Sequence, residues 1–194
     1  MKKVLRVKSV FAIAGTLIFV FAASAFVSAQ TAAKKVAEIK RIVAERDRMA
    51  ATAEGDDYSD VFIIELKVNP KENQYPAVGT FTSTAKFYYT YSPDREKHPY
   101  PNKLVKVAVT TRRSSTTERT TIYFRGPGEM ILYSKKVEGE EASERSMYIL
   151  AGLPLEYEKQ GMVVSTKGAD ATAFLKTALA DKTRFEKIFQ AALD

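Results

Sequence analysis

Residues 120–137 read TTIYFRGPGEMILYSKKV, and they contain the clearest turn signal of the chain between two runs typical of strands. Two runs rich in β-branched and aromatic residues flank Gly126-Pro127-Gly128, a combination that is typical of a tight turn. Parallel neighbours need a long crossover connection, whereas antiparallel strands are joined by a short turn. The stretch therefore predicts an antiparallel hairpin.

Outward from this hairpin, the alternation of apolar and polar residues predicts further strands with one buried face. Close turns between short strands favour consecutive pairing, which is a meander. We expect a single antiparallel sheet of about six or seven strands, with a small β-sandwich or half-open barrel as the alternative. The predicted strands cover residues 60–69, 80–91, 103–112, 120–125, 130–137, 146–151 and 155–158.

Two helices are predicted at the ends of the mature chain, so the fold class is α+β. The C-terminal helix, residues 170–193, carries a long apolar stripe that includes Phe185 and Phe189, and we expect it to pack against the sheet. The N-terminal helix, residues 31–53, is highly charged, and Arg46 interrupts its apolar stripe. This helix leads into the domain, and its charge is also typical of a spacer between a membrane and a domain.

The first 29 residues have the three parts of a secretory signal: a basic start, an uncharged apolar run and a small-x-small site. Cleavage is expected between Ala29 and Gln30, after Val27-Ser28-Ala29. The uncharged run, residues 9–29, is also close to the ~20 residues that span a bilayer as a helix, so an uncleaved anchor remains the alternative. Either way the rest of the chain is expected in the periplasm, in the cell envelope or outside the cell. The domains expected are therefore 1–29 as signal or anchor, 30–55 as a helix and 56–194 as an α+β domain.

Charge and composition exclude several function classes. The chain has 30 basic and 23 acidic residues, but four of the basic ones lie in the first eight positions, which leaves a net charge of +3 after residue 29. This modest charge does not predict nucleic-acid binding. Cysteine is absent, so disulfides, thiol chemistry and thiolate metal sites are excluded. We expect no metal and no cofactor.

Two features are candidates for catalysis. His98 is the single histidine and lies in a proline-rich loop, where it is also compatible with an ordinary surface role. Glu156 and Glu158 lie two apart on a strand, which places their carboxylates about 7 Å apart on one face. That spacing suits an acid/base pair for sugar hydrolysis, and it is equally typical of a solvated strand face.

A second set of residues is a candidate for binding. Ten tyrosines all follow Gly55, and tyrosine combines apolar area with a hydroxyl in the way that sugar, lipid and protein recognition requires. Arginines near one hairpin tip are candidates for contacts with anions, although basic edges also keep a sheet soluble. The predicted binding residues are Tyr88, Tyr123, Tyr133, Tyr148, Arg112 and Arg113.

The sequence thus favours an exported, non-catalytic module that binds a lipid, a glycan or a protein of the envelope. The alternative is a hydrolase that uses the glutamate pair or the histidine. Contact with a membrane is expected only through the N-terminal segment, if that segment is not cleaved.

Overall fold

A computed structural model describes the backbone of residues 7–55, 59–75, 79–90 and 103–193, and the side chains of these residues except 7–30 and 75. The chain divides into two compact units, Met1–Glu38 and Ile39–Asp194. The predicted signal peptide and the domain boundary predicted at residue 56 lie outside the described side chains. The second unit contains the C-terminal part of the first helix, the whole sheet and the second helix.

The elements follow one another along the chain as helix, strands and helix. The helices are α1, Val7–Gly55, and α2, Ala169–Ala191. The strands are β1 Val61–Val68, β2 Gln74–Tyr75, β3 Gly79–Thr90, β4 Lys103–Arg113, β5 Thr116–Gly126, β6 Glu129–Glu138, β7 Ser143–Leu150, β8 Leu153–Lys159 and β9 Met162–Val164.

The strands form one antiparallel meander, as predicted. Eight of them lie side by side in the order β1-β3-β4-β5-β6-β7-β8-β9, and the two-residue β2 pairs with β3 beside this path. All seven predicted strands are present, so the α+β class and the sheet are confirmed. The count is slightly higher than expected because β2 and β9 are too short to show an alternating pattern.

One face of the sheet holds a continuous apolar row that α2 covers. Residues paired directly across antiparallel strands project from the same face. Phe174, Phe185 and Phe189 of α2 pack into one cluster with this row, so the predicted role of the C-terminal helix in the core is confirmed. The apolar row consists of Ile64, Phe87, Val107, Ile122, Tyr133, Met147 and Tyr157.

The opposite face is covered by the last turns of α1. Ile39 is fully buried, and Ala50 packs with Val61, Tyr88 and Val105 of the sheet. From Ile39 onward α1 is therefore part of the packed domain, and this part does not act as a spacer. The domain is a three-layer α/β/α arrangement built on a single sheet, which differs from the sandwich and barrel alternatives.

The turns and caps follow from local backbone chemistry. Gly128 ends the predicted turn with a φ of 67°, a left-handed conformation that a side chain would strain. Proline followed by a glycine with positive φ is typical of a type II turn. At the start of α2 the N-cap is Gly168 with no side-chain cap hydrogen bond, and Asp170 lies inside the first turn, where it accepts hydrogen bonds from the sheet.

Replacement of Phe189 by alanine tests the packing of α2. The Phe189 ring is 2% exposed and stacks 6.0 Å from the Phe87 ring, with Tyr89 at 5.4 Å. We expect Phe189→Ala to lower the free energy of unfolding by about 3–5 kcal/mol, because the cavity adds to the lost transfer energy. The measurement is chemical denaturation of the full chain.

The matched control is Leu179→Ala on the same helix, where the side chain is 40% exposed. We expect this change to cost less than about 1 kcal/mol. Equal losses for the two variants would contradict the packing described for Phe189.

Candidate functional site

Three of the four predicted binding tyrosines lie together on the α1 side of the sheet. Tyr88, Tyr123 and Tyr148 come from β3, β5 and β7, and strand register aligns them in one line across the sheet. We call this line the tyrosine row; it consists of Ile63, Tyr88, Lys106, Tyr123, Leu132, Tyr148 and Glu156. Tyr133 projects from the opposite face, in the apolar row.

Helix α1 crosses this row with charged residues seven positions apart. Lys40, Asp47 and Glu54 follow one another at intervals of about two helical turns, so they lie on one stripe of the helix. Their spacing along the helix axis is about 10.5 Å. Alternate strands of a sheet are about 9.5 Å apart. The two repeats match closely enough for each charged residue to meet one tyrosine.

The centre of the site is an ion pair between two tyrosine rings. The Lys106 ammonium lies 2.7 Å from the Asp47 carboxylate and 5.5 Å from the ring centres of Tyr88 and Tyr123. The Tyr123 hydroxyl donates to the same Asp47 oxygen at 2.8 Å. Burial first, and then this hydrogen bond, raises the pKa of Tyr123, so the phenol stays protonated and acts as a donor.

At the end of α1 the Glu54 carboxylate has two donors. Lys86 donates at 2.8 Å and the Tyr88 hydroxyl at 2.5 Å to the same oxygen. The hydrogen bond from Lys86, followed by that from Tyr88, lowers the pKa of Glu54. Burial and the same contact raise the pKa of Tyr88. The pair is therefore a charged acceptor with a neutral phenol donor.

The glutamate pair meets α1 at the other end of the row. The Lys40 ammonium lies 3.2 Å from Glu158, 3.8 Å from Glu156 and 4.9 Å from the Tyr148 ring centre. Burial raises the pKa of Glu156, the nearby ammonium opposes this shift, and Glu158 adds to it. The structure thus brings the predicted carboxylate pair together with a cation.

Hydrogen bonds from tyrosine hydroxyls to carboxylates also join α2 to the sheet. The Tyr133 hydroxyl donates to Asp181 at 2.7 Å, and the Tyr157 hydroxyl donates to Asp170 at 3.0 Å. Burial is the largest cause of the raised pKa of both phenols. Tyr133 is therefore fully engaged inside the α2 interface, where it is 0% exposed.

The predicted arginines lie away from the tyrosines. Arg112 and Arg113 are exposed at the end of β4, next to the hairpin that leads into β5. Further along this hairpin, Arg119 pairs with Glu138 of β6, and Lys135 pairs with Glu118 at 2.9 Å. The basic character of this region is thus partly neutralised by cross-strand carboxylates.

A shallow cleft of about 240 Å³ lies elsewhere, between two turns of the sheet and α2. Its volume is below the roughly 300–1,000 Å³ of typical small-molecule sites. Its one cation, Lys182, is 2.8 Å from Glu186. The cleft is lined by Pro127, Gly128, Glu129, Met130, Ile149, Ala151, Gly152, Leu179 and Lys182.

Two further findings concern the described residues alone. Within them, no group of three or more histidines or carboxylates is placed to hold a metal ion. No helical stretch among the residues whose side chains are described, which begin at residue 31, is long and apolar enough to cross a membrane. His98, and the Ala29–Gln30 junction predicted for cleavage, lie outside the described side chains.

The sequence pattern did not identify the charged stripe of α1 as a partner of the tyrosines. The signal was available in the seven-residue spacing of Lys40, Asp47 and Glu54, but such charges are equally typical of a solvated helix face. The binding role predicted for the tyrosines and arginines stays a prediction, since the contacts described are internal to the domain.

Neither protein-family models, nor curated proteins, nor solved structures give a match to this chain.

Acid titration tests the contact made by Glu54. A carboxyl whose pKa is lowered by folding adds stability above its unfolded pKa and loses it as the pH falls through the folded value. We expect Glu54→Gln to reduce the free energy of unfolding by up to about 1 kcal/mol at pH 7, because the pair is partly exposed. The difference from the wild type should vanish as the pH is lowered below the usual value of 4.5 and through the lowered pKa of Glu54.

Denaturation midpoints between pH 3 and pH 7 provide the measurement. The control is Glu45→Gln, which removes a carboxylate whose partner is Arg46 of the same helix, 3.7 Å away. A constant difference at every pH between wild type and Glu54→Gln would rule out the proposed titration.

Proposed function

We propose that this chain is an exported, non-catalytic module that binds a lipid, a glycan or a protein of the cell envelope or of the extracellular space. The proposal is supported mainly by the structural role of four carboxylates on the two helices. Asp47, Glu54, Asp170 and Asp181 each accept a hydrogen bond from a buried tyrosine and fix a helix on the sheet. Groups with this structural task are poor candidates for acid/base catalysis, which requires them to exchange protons with a substrate.

Exposed apolar side chains at the sheet edge favour binding. Met162, Val163 and Val164 form the edge strand β9, and the first two are 66% and 64% exposed. Native edge strands are usually protected by charges, proline or a covering element. An edge of three consecutive apolar residues is a surface where a partner gains contact area.

The alternative, a hydrolase, is favoured by one observation. The pKa of Glu156 is raised while Glu158 lies two residues away on the same face, and a raised pKa is what a general acid needs. Against this, the Lys40 ammonium lies within 4 Å of both carboxylates, where a substrate or a water would have to be placed. The described cleft is lined by other residues.

Hydrolysis assays distinguish the two functions. The purified chain is offered a panel of aryl glycosides and aryl esters, together with the double variant Glu156→Gln/Glu158→Gln. We expect no turnover by the wild type beyond that of the double variant. Turnover present in the wild type and lost in the double variant would overturn the proposal in favour of the hydrolase.

Export is tested by the N-terminus of the protein made in a bacterial host. We expect protein recovered from the periplasm or medium to begin at Gln30. Ala29→Arg should block cleavage, because the pocket for this position accepts small side chains. An intact Met1 in the membrane fraction of the wild type would establish the anchor, and cytoplasmic protein of full length would contradict export.

A further inference from the structure

The segment Ile39–Gly55 of α1, which we call the strap, is attached to the sheet largely by polar contacts. Lys40, Asp47 and Glu54 of the strap form five hydrogen bonds with the sheet, at donor–acceptor distances between 2.5 and 3.2 Å. The partners are Glu158, Lys86, Tyr88, Lys106 and Tyr123. Helix α2 differs, because three phenylalanines of α2 are buried in the main core. The two helices thus cover opposite faces of one sheet by different physical means.

The strap has fewer buried apolar residues than α2. Ile39 and Ala50 are its buried residues, Ile42 and Val43 are partly buried, and Met49 and Ala53 are partly buried beside Ala50. Arg46 lies in the middle of the stripe that faces the sheet, and its buried Nε has no hydrogen-bond partner. A buried donor without an acceptor weakens an interface.

Polar contacts of this kind determine the position of a helix more than they stabilise it. Most of the ion pairs are partly exposed: the Glu54 side chain is 45% exposed and that of Asp47 is 46% exposed. Such pairs exchange contacts with water at little net cost and weaken with salt. The strap should therefore open at lower free energy than the sheet with α2, which holds the larger apolar core.

The surface beneath the strap has the chemistry of a recognition site. Opening the strap uncovers the rings of Tyr88, Tyr123 and Tyr148, with the ammonium groups of Lys86 and Lys106 between and beside them. Tyrosine is enriched in protein interfaces, where its ring anchors a partner. The two ammonium groups beside the rings favour a partner that carries carboxylates. In this structure the carboxylate of Asp47 pairs with Lys106, and that of Glu54 pairs with Lys86.

We propose that the strap fills, within its own chain, a binding site for an amphipathic helix of a partner protein that carries two carboxylates seven residues apart. The site requires carboxylates seven residues apart, one for Lys106 and one for Lys86, with a small residue between them at the position of Ala50. An entering helix takes over the contacts that Asp47 and Glu54 make with the sheet, so strap release and partner binding are coupled. This inference rests on the proposed binding function and assigns that function a partner.

Hydrogen exchange of the full chain tests whether the strap opens separately. We expect amides of residues 39–55 to exchange at least 10-fold faster than those of α2 under native conditions. Salt and the variant Asp47→Asn/Glu54→Gln should each raise strap exchange further while α2 stays unchanged. The single variant Asp47→Asn is compared with Glu45→Gln, which removes the same charge from the exposed side of the strap and should have no effect. Unchanged protection in α2 shows that the variants are folded.

A peptide with the sequence of residues 39–55, carrying a fluorophore, tests the site. We expect at least 10-fold tighter binding to the full chain with Asp47→Asn/Glu54→Gln than to the wild type, measured by fluorescence anisotropy. Arg46→Leu makes the stripe of the strap apolar, so this variant should hold its own strap more firmly and bind the peptide more weakly than the wild type. The control peptide carries asparagine in place of Asp47 and glutamine in place of Glu54, and it should not bind.

Three outcomes would overturn the inference. They are equal amide exchange rates in the strap and α2, no peptide binding by Asp47→Asn/Glu54→Gln, and binding of the control peptide as tight as that of the strap peptide. None of them bears on the proposed function as a whole. That function fails on a separate result, hydrolysis that depends on Glu156 and Glu158.

Discussion

A phenol hydroxyl that is buried beneath a helix needs an acceptor, and the architecture of this protein depends on how that need is met. Tyr88 and Tyr123 donate to carboxylates of α1, and Tyr133 and Tyr157 donate to carboxylates of α2. An unpaired buried hydroxyl would cost on the order of 1–3 kcal/mol, so each pair penalises any other position of its helix. The four bonds together determine where both helices lie on the sheet.

The meander provides the geometry that these contacts require. Consecutive antiparallel pairing aligns Tyr88, Tyr123 and Tyr148 along a single row, and the helix repeat brings Glu54, Asp47 and Lys40 to them in turn. A shift of one strand by one residue would move its tyrosine to the other face. Strand register and helix position therefore stabilise each other.

The two faces differ in the balance between apolar and polar contacts, and this difference connects structure to function. The α2 face is a packed aromatic core, in which the Phe174 ring lies 5.1 Å from Tyr133 and 5.4 Å from Tyr157. The α1 face combines a small apolar cluster around Ala50 with the ion pairs of Asp47 and Glu54. A core of the first type holds a domain together, whereas a contact of the second type is suited to exchange with a partner. The proposed function and the proposed partner helix both follow from this asymmetry.

Most of the helices and strands, and the pairing of the strands, could be predicted from residue patterns alone. Twofold alternation placed seven strands, the Gly126-Pro127-Gly128 turn identified an antiparallel hairpin, and the phenylalanines of the C-terminal helix identified the cover of one face. These signals are local or follow from chain order, so they can be read without coordinates. The very short β2 and β9 were missed because two or three residues carry no periodicity.

The contacts of the charged and phenolic side chains, by contrast, depend on how the helices pack on the sheet. Lys40, Asp47 and Glu54 look in sequence like residues of a solvated helix. Nothing in the local sequence shows that Asp47 bonds to Tyr123, 76 residues away, rather than to water. Alternation shows that Tyr88 and Tyr89 project from opposite faces, but the helix that covers each face is known only from the packed structure. A buried hydrogen bond is a property of two distant segments brought together, and that pairing exists only once the sheet and the helices have packed.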